Sequence, residues 1–78
     1  MIQILLFARF QEVVGEDAIG WQDAPITVAA LKEQLQRTYE KFPSLDNVMV
    51  AVNEQYADNE TEIQDGDTVA LIPPVSGG

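Results

Sequence analysis

The chain contains no cysteine and no histidine. Disulfide scaffolds, thiolate zinc sites, cysteine nucleophiles and histidine general bases are therefore excluded. A carboxylate-only metal site would still be open to it, but no loop has the spacing of a calcium ligand set, and no metal ligand is expected. Basic residues are also scarce: four Lys and Arg stand against thirteen Asp and Glu, for a net charge of −9. A nucleic-acid backbone would be repelled, so no nucleic-acid partner is expected. The same charge favours encounter with a basic protein, although solubility alone also accounts for it. Long apolar runs are missing too. The opening stretch from Ile2 to Ala8 is too short to span a membrane, and it lacks the basic start of a signal peptide. The expectation is a soluble, cytoplasmic protein with no membrane contact, and the lack of cysteine fits a reducing compartment.

What is present fits one small domain. A chain of 78 residues buries roughly 60% of its unfolded surface, which leaves little room for a deep active site. Ile2 to Ala8 is short, apolar and rich in branched residues, and predicts a strand. Arg9 to Gly15 reads as a loop or short helical turn. Glu16 to Trp21 predicts a second strand, antiparallel to the first and broken by Asp23-Ala24-Pro25. Thr27 is a good N-cap for a helix whose apolar stripe is Val28, Leu31, Leu35 and Tyr39. That helix must end before Pro43. Val48 to Val52 predicts a third strand, Asn53-Glu54 a tight turn, Gln55 to Ala57 a short segment, and Asp65-Gly66 a second turn. Thr68 to Ile72 predicts the last strand. Its continuous apolar character implies a central place with both faces covered. Strand, strand, helix, strand, short strand, strand is the order of an α+β β-grasp, or ubiquitin-like, fold: a mixed sheet with one main helix on one face.

Side chains alternate across a strand. Ile2, Ile4, Leu6, Val48, Val50, Val52, Val69 and Leu71 form the expected core face, opposite Val28, Leu31 and Leu35. The other parity should be polar, yet it holds Leu5, Phe7, Met49, Ala51, Ala70 and Ile72. One helix cannot cover both faces. Either an intervening loop folds over the second face or a partner does. Leu5, Phe7, Met49 and Ile72 are the candidate interface residues.

Residues 73–78 read as an extended, flexible tail on a domain of residues 1–72. Pro73 and Pro74 stop the sheet ladder, since neither donates a backbone hydrogen bond. The six residues Pro73, Pro74, Val75, Ser76, Gly77 and Gly78 reach about 20 Å when extended. Such a tail could thread a narrow channel, because glycine lets the backbone approach closely. Two terminal glycines occur by chance in roughly 0.5% of chains, so the pair is informative but not decisive alone. The Gly78 carboxylate is ionised near neutral pH and is a poor electrophile until activated, for example as an acyl-adenylate. With no thiol in the chain, any carried sulfur would sit there as a thiocarboxylate.

Three segments resemble the small subunit of molybdopterin synthase: Met1-Ile2-Gln3-Ile4-Leu5-Leu6-Phe7-Ala8-Arg9, Val50-Ala51-Val52-Asn53, and the terminal block from Asp65 to Gly78. The resemblance runs along nearly the whole chain. It implies a ubiquitin-like sulfur carrier of molybdenum cofactor biosynthesis with no bound cofactor. A separate activating adenylyltransferase would use ATP on Gly78, and a sulfur donor protein would convert the adenylate to the thiocarboxylate. The tail would enter the large synthase subunit and give sulfur to cyclic pyranopterin monophosphate, within a heterotetramer of two small and two large subunits. The chain would then be enzymatic only as a non-autonomous subunit, with the remaining catalytic groups on its partner. The resemblance also implies that apolar side chains at Phe7 and Ile72 help form the partner interface. Asp65 and Asp67 read as turn residues rather than catalysts. Three other readings stay open: a sulfur carrier for thiamin or tRNA thiolation, a ubiquitin-like modifier joined to lysines, and an interaction module with an inert tail.

Overall fold

The computed structural model describes residues 1–73. The expectations for Pro74, Val75, Ser76, Gly77 and Gly78 lie outside the described residues. In chain order the elements are β1 (Ile2–Leu5), α1 (Ala8–Val14), β2 (Ala18–Trp21), β3 (Ile26–Thr27), α2 (Val28–Thr38), β4 (Met49–Val52), β5 (Gln55–Ala57), β6 (Glu62–Ile63) and β7 (Thr68–Ile72). A five-stranded sheet has the order β2-β1-β7-β4-β5, with β1 and β7 parallel and the other pairs antiparallel. β3 and β6 form a small antiparallel sheet of their own. This is the β-grasp architecture that the element order implies.

Thr27 caps α2 as its residue type predicts: its Oγ1 accepts from the Ala30 N–H at 3.2 Å. The stripe of Val28, Leu31 and Leu35 is buried against Ile2, Ile4, Leu6, Val50, Val69 and Leu71 of the sheet. Val52 is the exception in the expected core set. It ends β4 beside the turn and is half-buried. Arg37 donates to Glu33 at 2.6 Å across one helical turn, on the exposed side of α2. Among the described residues no helix is long and apolar enough to cross a membrane.

Several sequence expectations change. β1 stops at Leu5 rather than continuing to Ala8. Ala8 takes φ 51° and turns the chain into α1, which buries Phe10. The segment expected as a loop or short helical turn is thus a seven-residue helix, longer than one turn and closed by Gly15 at φ 84°, where a Cβ would be strained. α2 ends at Thr38, earlier than Pro43 demands. The chain that follows packs Phe42 edge-on against Phe10, centroids 4.9 Å apart, and stacks Tyr39 on Phe42 at 4.8 Å. Gln36 holds that loop: its Nε2 donates to the Phe42 carbonyl at 3.2 Å and its Oε1 accepts from the Leu45 N–H at 3.0 Å. The β3–β6 sheet is an addition, carried by buried Ile26 and Ile63. β7 is central, as expected, but the described residues cover only one of its faces. Val69 and Leu71 are buried, whereas Ala70 and Ile72 are only half-buried.

Candidate functional site

Strand register assembles the uncovered face. Leu5 pairs with Ala18 on one side and Ala70 on the other, Ala70 with Ala51, and Ala51 with Tyr56. Side chains of paired residues share a face, so Ala18, Leu5, Ala70, Ala51 and Tyr56 form one row across all five strands. Three of these five are alanines, and they leave the middle of the sheet shallow. On one side of the row Gln3 pairs with Gly20 and Thr68, a polar band. On the other side Met49 pairs with Ile72, and Phe7 lies beyond the end of β1. The face is therefore polar at one end and apolar at the end where β7 runs out into Pro73.

The apolar end is open. Phe7 is 46% exposed, Met49 50% and Tyr56 71%. Leu5, Ile72 and Pro73 are half-buried. Phe7, Tyr56, Ile72 and Pro73, with Ala51, Ala70 and Glu54, line a groove of about 530 Å³. A second groove of about 370 Å³ continues along Leu5, Ala51, Ala70 and Thr68 toward Asn53 and Glu54. Among the described residues no loop folds over this face, which leaves its apolar end open to a partner. All four expected interface residues, Leu5, Phe7, Met49 and Ile72, belong to it, and Pro73 joins them. Tyr56 was missed. It sits in a three-residue strand whose parity could not be read without knowing that it pairs with Ala51.

Backbone strain borders the same face. The non-glycine residues with positive φ are Ala8 (51°), Asn53 (52°) and Glu54 (71°) among the described residues. Ala8 follows Phe7, and the other two form the β4–β5 turn. Such conformations cost of order 1–3 kcal/mol each and persist where neighbours fix them. Asn53 is fixed firmly. Its N–H donates to the Thr68 carbonyl at 2.8 Å, its Oδ1 accepts from the Thr68 N–H at 3.0 Å, and its Nδ2 donates to Asp67 Oδ1 at 3.0 Å. Asp67 Oδ2 accepts from the Gln64 N–H at 2.8 Å. That backbone bond first, and the Asn53 amide second, hold the Asp67 carboxyl below the usual aspartate value. Asp65 pairs with the Met1 amino group. Both acids thus act as turn residues, as their sequence context implies. No cluster of three or more acidic side chains is placed to hold a metal ion among the described residues.

A family model, the ThiS family, matches residues 4–78. The chain belongs to the ThiS family. Within it the chain is similar to the molybdopterin synthase sulfur carrier subunit of Dictyostelium discoideum, 40% identical over 82 residues, covering 97% of this chain and 94% of that protein. It is similar also to the sulfur carrier subunit of the same name from Haemophilus influenzae, 33% identical over 81 residues and covering both chains fully. Among solved structures it resembles the Haloferax volcanii HVO 2177 protein, with a TM-score of 0.82 and 32% identity over 99% of this chain and 85% of that one. The ThiS match reaches the C-terminal Gly77-Gly78, so the likeness includes the tail as well as the domain.

Proposed function

We propose that this chain is the sulfur-carrying small subunit of a molybdopterin synthase. One observation carries the reading: the open apolar face and the tail are continuous. β7 places Ala70 and Ile72 on that face and runs straight into Pro73, which lines the same groove as Phe7. A partner seated on Phe7, Met49, Tyr56 and Ile72 lies beside the point where the chain leaves the sheet. Full-length likeness to molybdopterin synthase sulfur carrier subunits supports the pathway.

The chemistry belongs to Gly78. On a separate adenylyltransferase, a carboxylate oxygen of Gly78 attacks the α-phosphate of ATP and pyrophosphate leaves. Hydrosulfide delivered by a donor protein then attacks the acyl carbon and gives up its proton. The C–S bond forms, the C–O bond to AMP breaks, and the product is a thiocarboxylate. In the large synthase subunit this sulfur attacks a carbon of cyclic pyranopterin monophosphate, the C–S bond forming as a C–O bond of the substrate breaks and its oxygen leaves. Hydrolysis of the acyl–sulfur bond leaves sulfur on the pterin and returns the Gly78 carboxylate. The domain docks the carrier, while Pro73, Pro74, Val75, Ser76 and Gly77 span the distance into the partner's site. No cofactor need stay bound to this chain, because ATP is consumed on the activating enzyme. A charge of −9 speeds encounter with a basic large subunit, and two of each subunit would form the assembly.

The test is the intact mass of the chain isolated from its own host, with activating enzyme and sulfur source present. A fraction with one C-terminal oxygen exchanged for sulfur is the expected result. A carboxylate alone in that setting overturns the carrier reading. Thiocarboxylate formation without binding to the large synthase subunit moves the chain to another sulfur pathway.

A further inference from the structure

We infer that Glu54 is a specificity-determining residue of the docking face, its carboxylate receiving an arginine or lysine of the large subunit at the β4–β5 turn, where the two grooves share their lining. The inference rests on the reading of this face as the large subunit's seat. Glu54 lines both grooves described above and is the one charged residue in either lining, whereas a third groove beside Gln3, Leu5, Phe7 and Ala18 carries Asp17. The two ion pairs among the described residues, Met1–Asp65 and Arg37–Glu33, leave it out. Neither groove has a basic residue in its lining. An exposed carboxylate bordered by Ala51, Ala70, Tyr56 and Ile72 is solvated in the free chain. It loses that water when an apolar partner closes over it, and a partner cation compensates the buried charge more fully than a neutral donor. The residue therefore favours one kind of occupant and penalises others, which is how a charge supplies specificity.

The turn itself gives a second, independent reason. Val52 pairs with Gln55, so Asn53 and Glu54 form a two-residue hairpin loop with positive φ at both positions. This geometry prefers Asn followed by Gly. Asn53 obeys the preference and Glu54 does not. Glu54 keeps a Cβ at φ 71°, in a turn that the bonds from Asn53 to Thr68 and Asp67 hold in place. Glycine would be less strained there, so the turn geometry alone does not account for a glutamate side chain.

The two reasons predict effects of opposite sign, which makes a clean test. The full-length chain would be titrated calorimetrically against the purified large synthase subunit from the same host, at low salt and at about 0.5 M salt. Glu54→Gln is expected to weaken binding about tenfold at low salt, with most of the difference gone at high salt. Glu54→Gly should show the same loss while its Tm stays at or above that of the parent chain. Glu40→Gln removes the same charge beyond the end of α2, away from the sheet's outer face, and should bind like the parent. Parent-like binding by Glu54→Gln, or an equal loss in Glu40→Gln, overturns the inference. So does a fall in Tm for Glu54→Gly, which would make Glu54 a structural turn residue. Phe7→Ala separates this result from the broader reading. If it weakens binding while Glu54→Gln does not, the docking face stands and Glu54's role in it falls. If the parent chain does not bind the large subunit at all, both fall.

Discussion

The two faces of the five-stranded sheet are built from the same strands and both carry large apolar side chains, yet they serve different ends. Ile4 and Leu5 are adjacent, as are Leu71 and Ile72. In each pair the first is fully buried beneath α2 and the second is only half-buried on the open side. Hydrophobicity alone does not separate them. The inner face is closed by α2 and the Phe10–Phe42 contact, so its apolar area supplies folding free energy. The outer face carries a smaller apolar surface that no described residue covers, so the free energy of covering it is left for association. A domain of this size gains by the division. Its single helix can close only one face, and the surplus on the other is available for docking.

Breaking the inner face should have the largest effect. Leu35 is fully buried, and Leu35→Ala removes its methyl groups and leaves a cavity, at about 2–5 kcal/mol. Against a total stability of roughly 5–15 kcal/mol, that leaves a marginally folded chain. Chemical denaturation should show a much lower midpoint with an unchanged slope, and binding should fall only in proportion to the folded fraction. The outer face should behave the other way. Phe7→Ala combined with Met49→Ala is expected to change folding stability by less than about 1 kcal/mol, since both side chains are about half exposed. Complex formation with the large subunit should nevertheless weaken by about tenfold or more in calorimetric titration. If the double variant unfolds the chain, or leaves binding intact, the division between the faces is wrong.

A smaller change sharpens the same contrast. Gln36 ties the loop carrying Phe42 and Leu45 to α2 through both of its amide atoms. Gln36→Ala should cost about 1–2 kcal/mol in denaturant unfolding, because the Leu45 N–H and Phe42 carbonyl lose their partner. Binding at the outer face, on the far side of the sheet, should be unchanged.

The sequence made the alternation visible and left the covering elements obscure. Ile2, Ile4, Leu6, Val50, Val69 and Leu71 were legible because a strand has period two and one buried face. Thr27 and the Val28–Leu31–Leu35 stripe were legible because capping and the helical period are local. Phe10, Phe42, Leu45, Ile26 and Ile63 were not. They lie in segments too short or too irregular for a period to show, and they become core only through contacts distant in sequence. The outer face was legible as an apolar excess at Leu5, Phe7, Met49 and Ile72. Its membership in Tyr56 and Glu54 was not, because both depend on β5 pairing back onto β4. Strain at Ala8 and Glu54 left no sequence signal beyond the absence of glycine where a left-handed turn needs one.

The smallest predicted effect concerns the clamp that sets the polar end of the open face. Asp67 accepts from the Gln64 N–H and from the Asn53 amide, and these bonds hold its carboxyl below the ordinary value of 3.8. A depressed native pKa means that the ionised form is favoured by folding. The contribution is therefore fully present above the unfolded value and is lost as pH falls through the lower native one. Asp67→Asn should be slightly less stable than the parent in urea at about pH 7, and the gap should close on acidification to about pH 3. Because Asn53 shares the clamp with the strained turn, the same variant should also weaken large-subunit binding modestly at neutral pH, through Glu54. A stability gap that persists unchanged at low pH would mean that the Asp67 charge contributes nothing. A binding loss without a stability loss would mean that the clamp positions Glu54 without supporting the fold, and the two faces would then be less separable than their burial suggests.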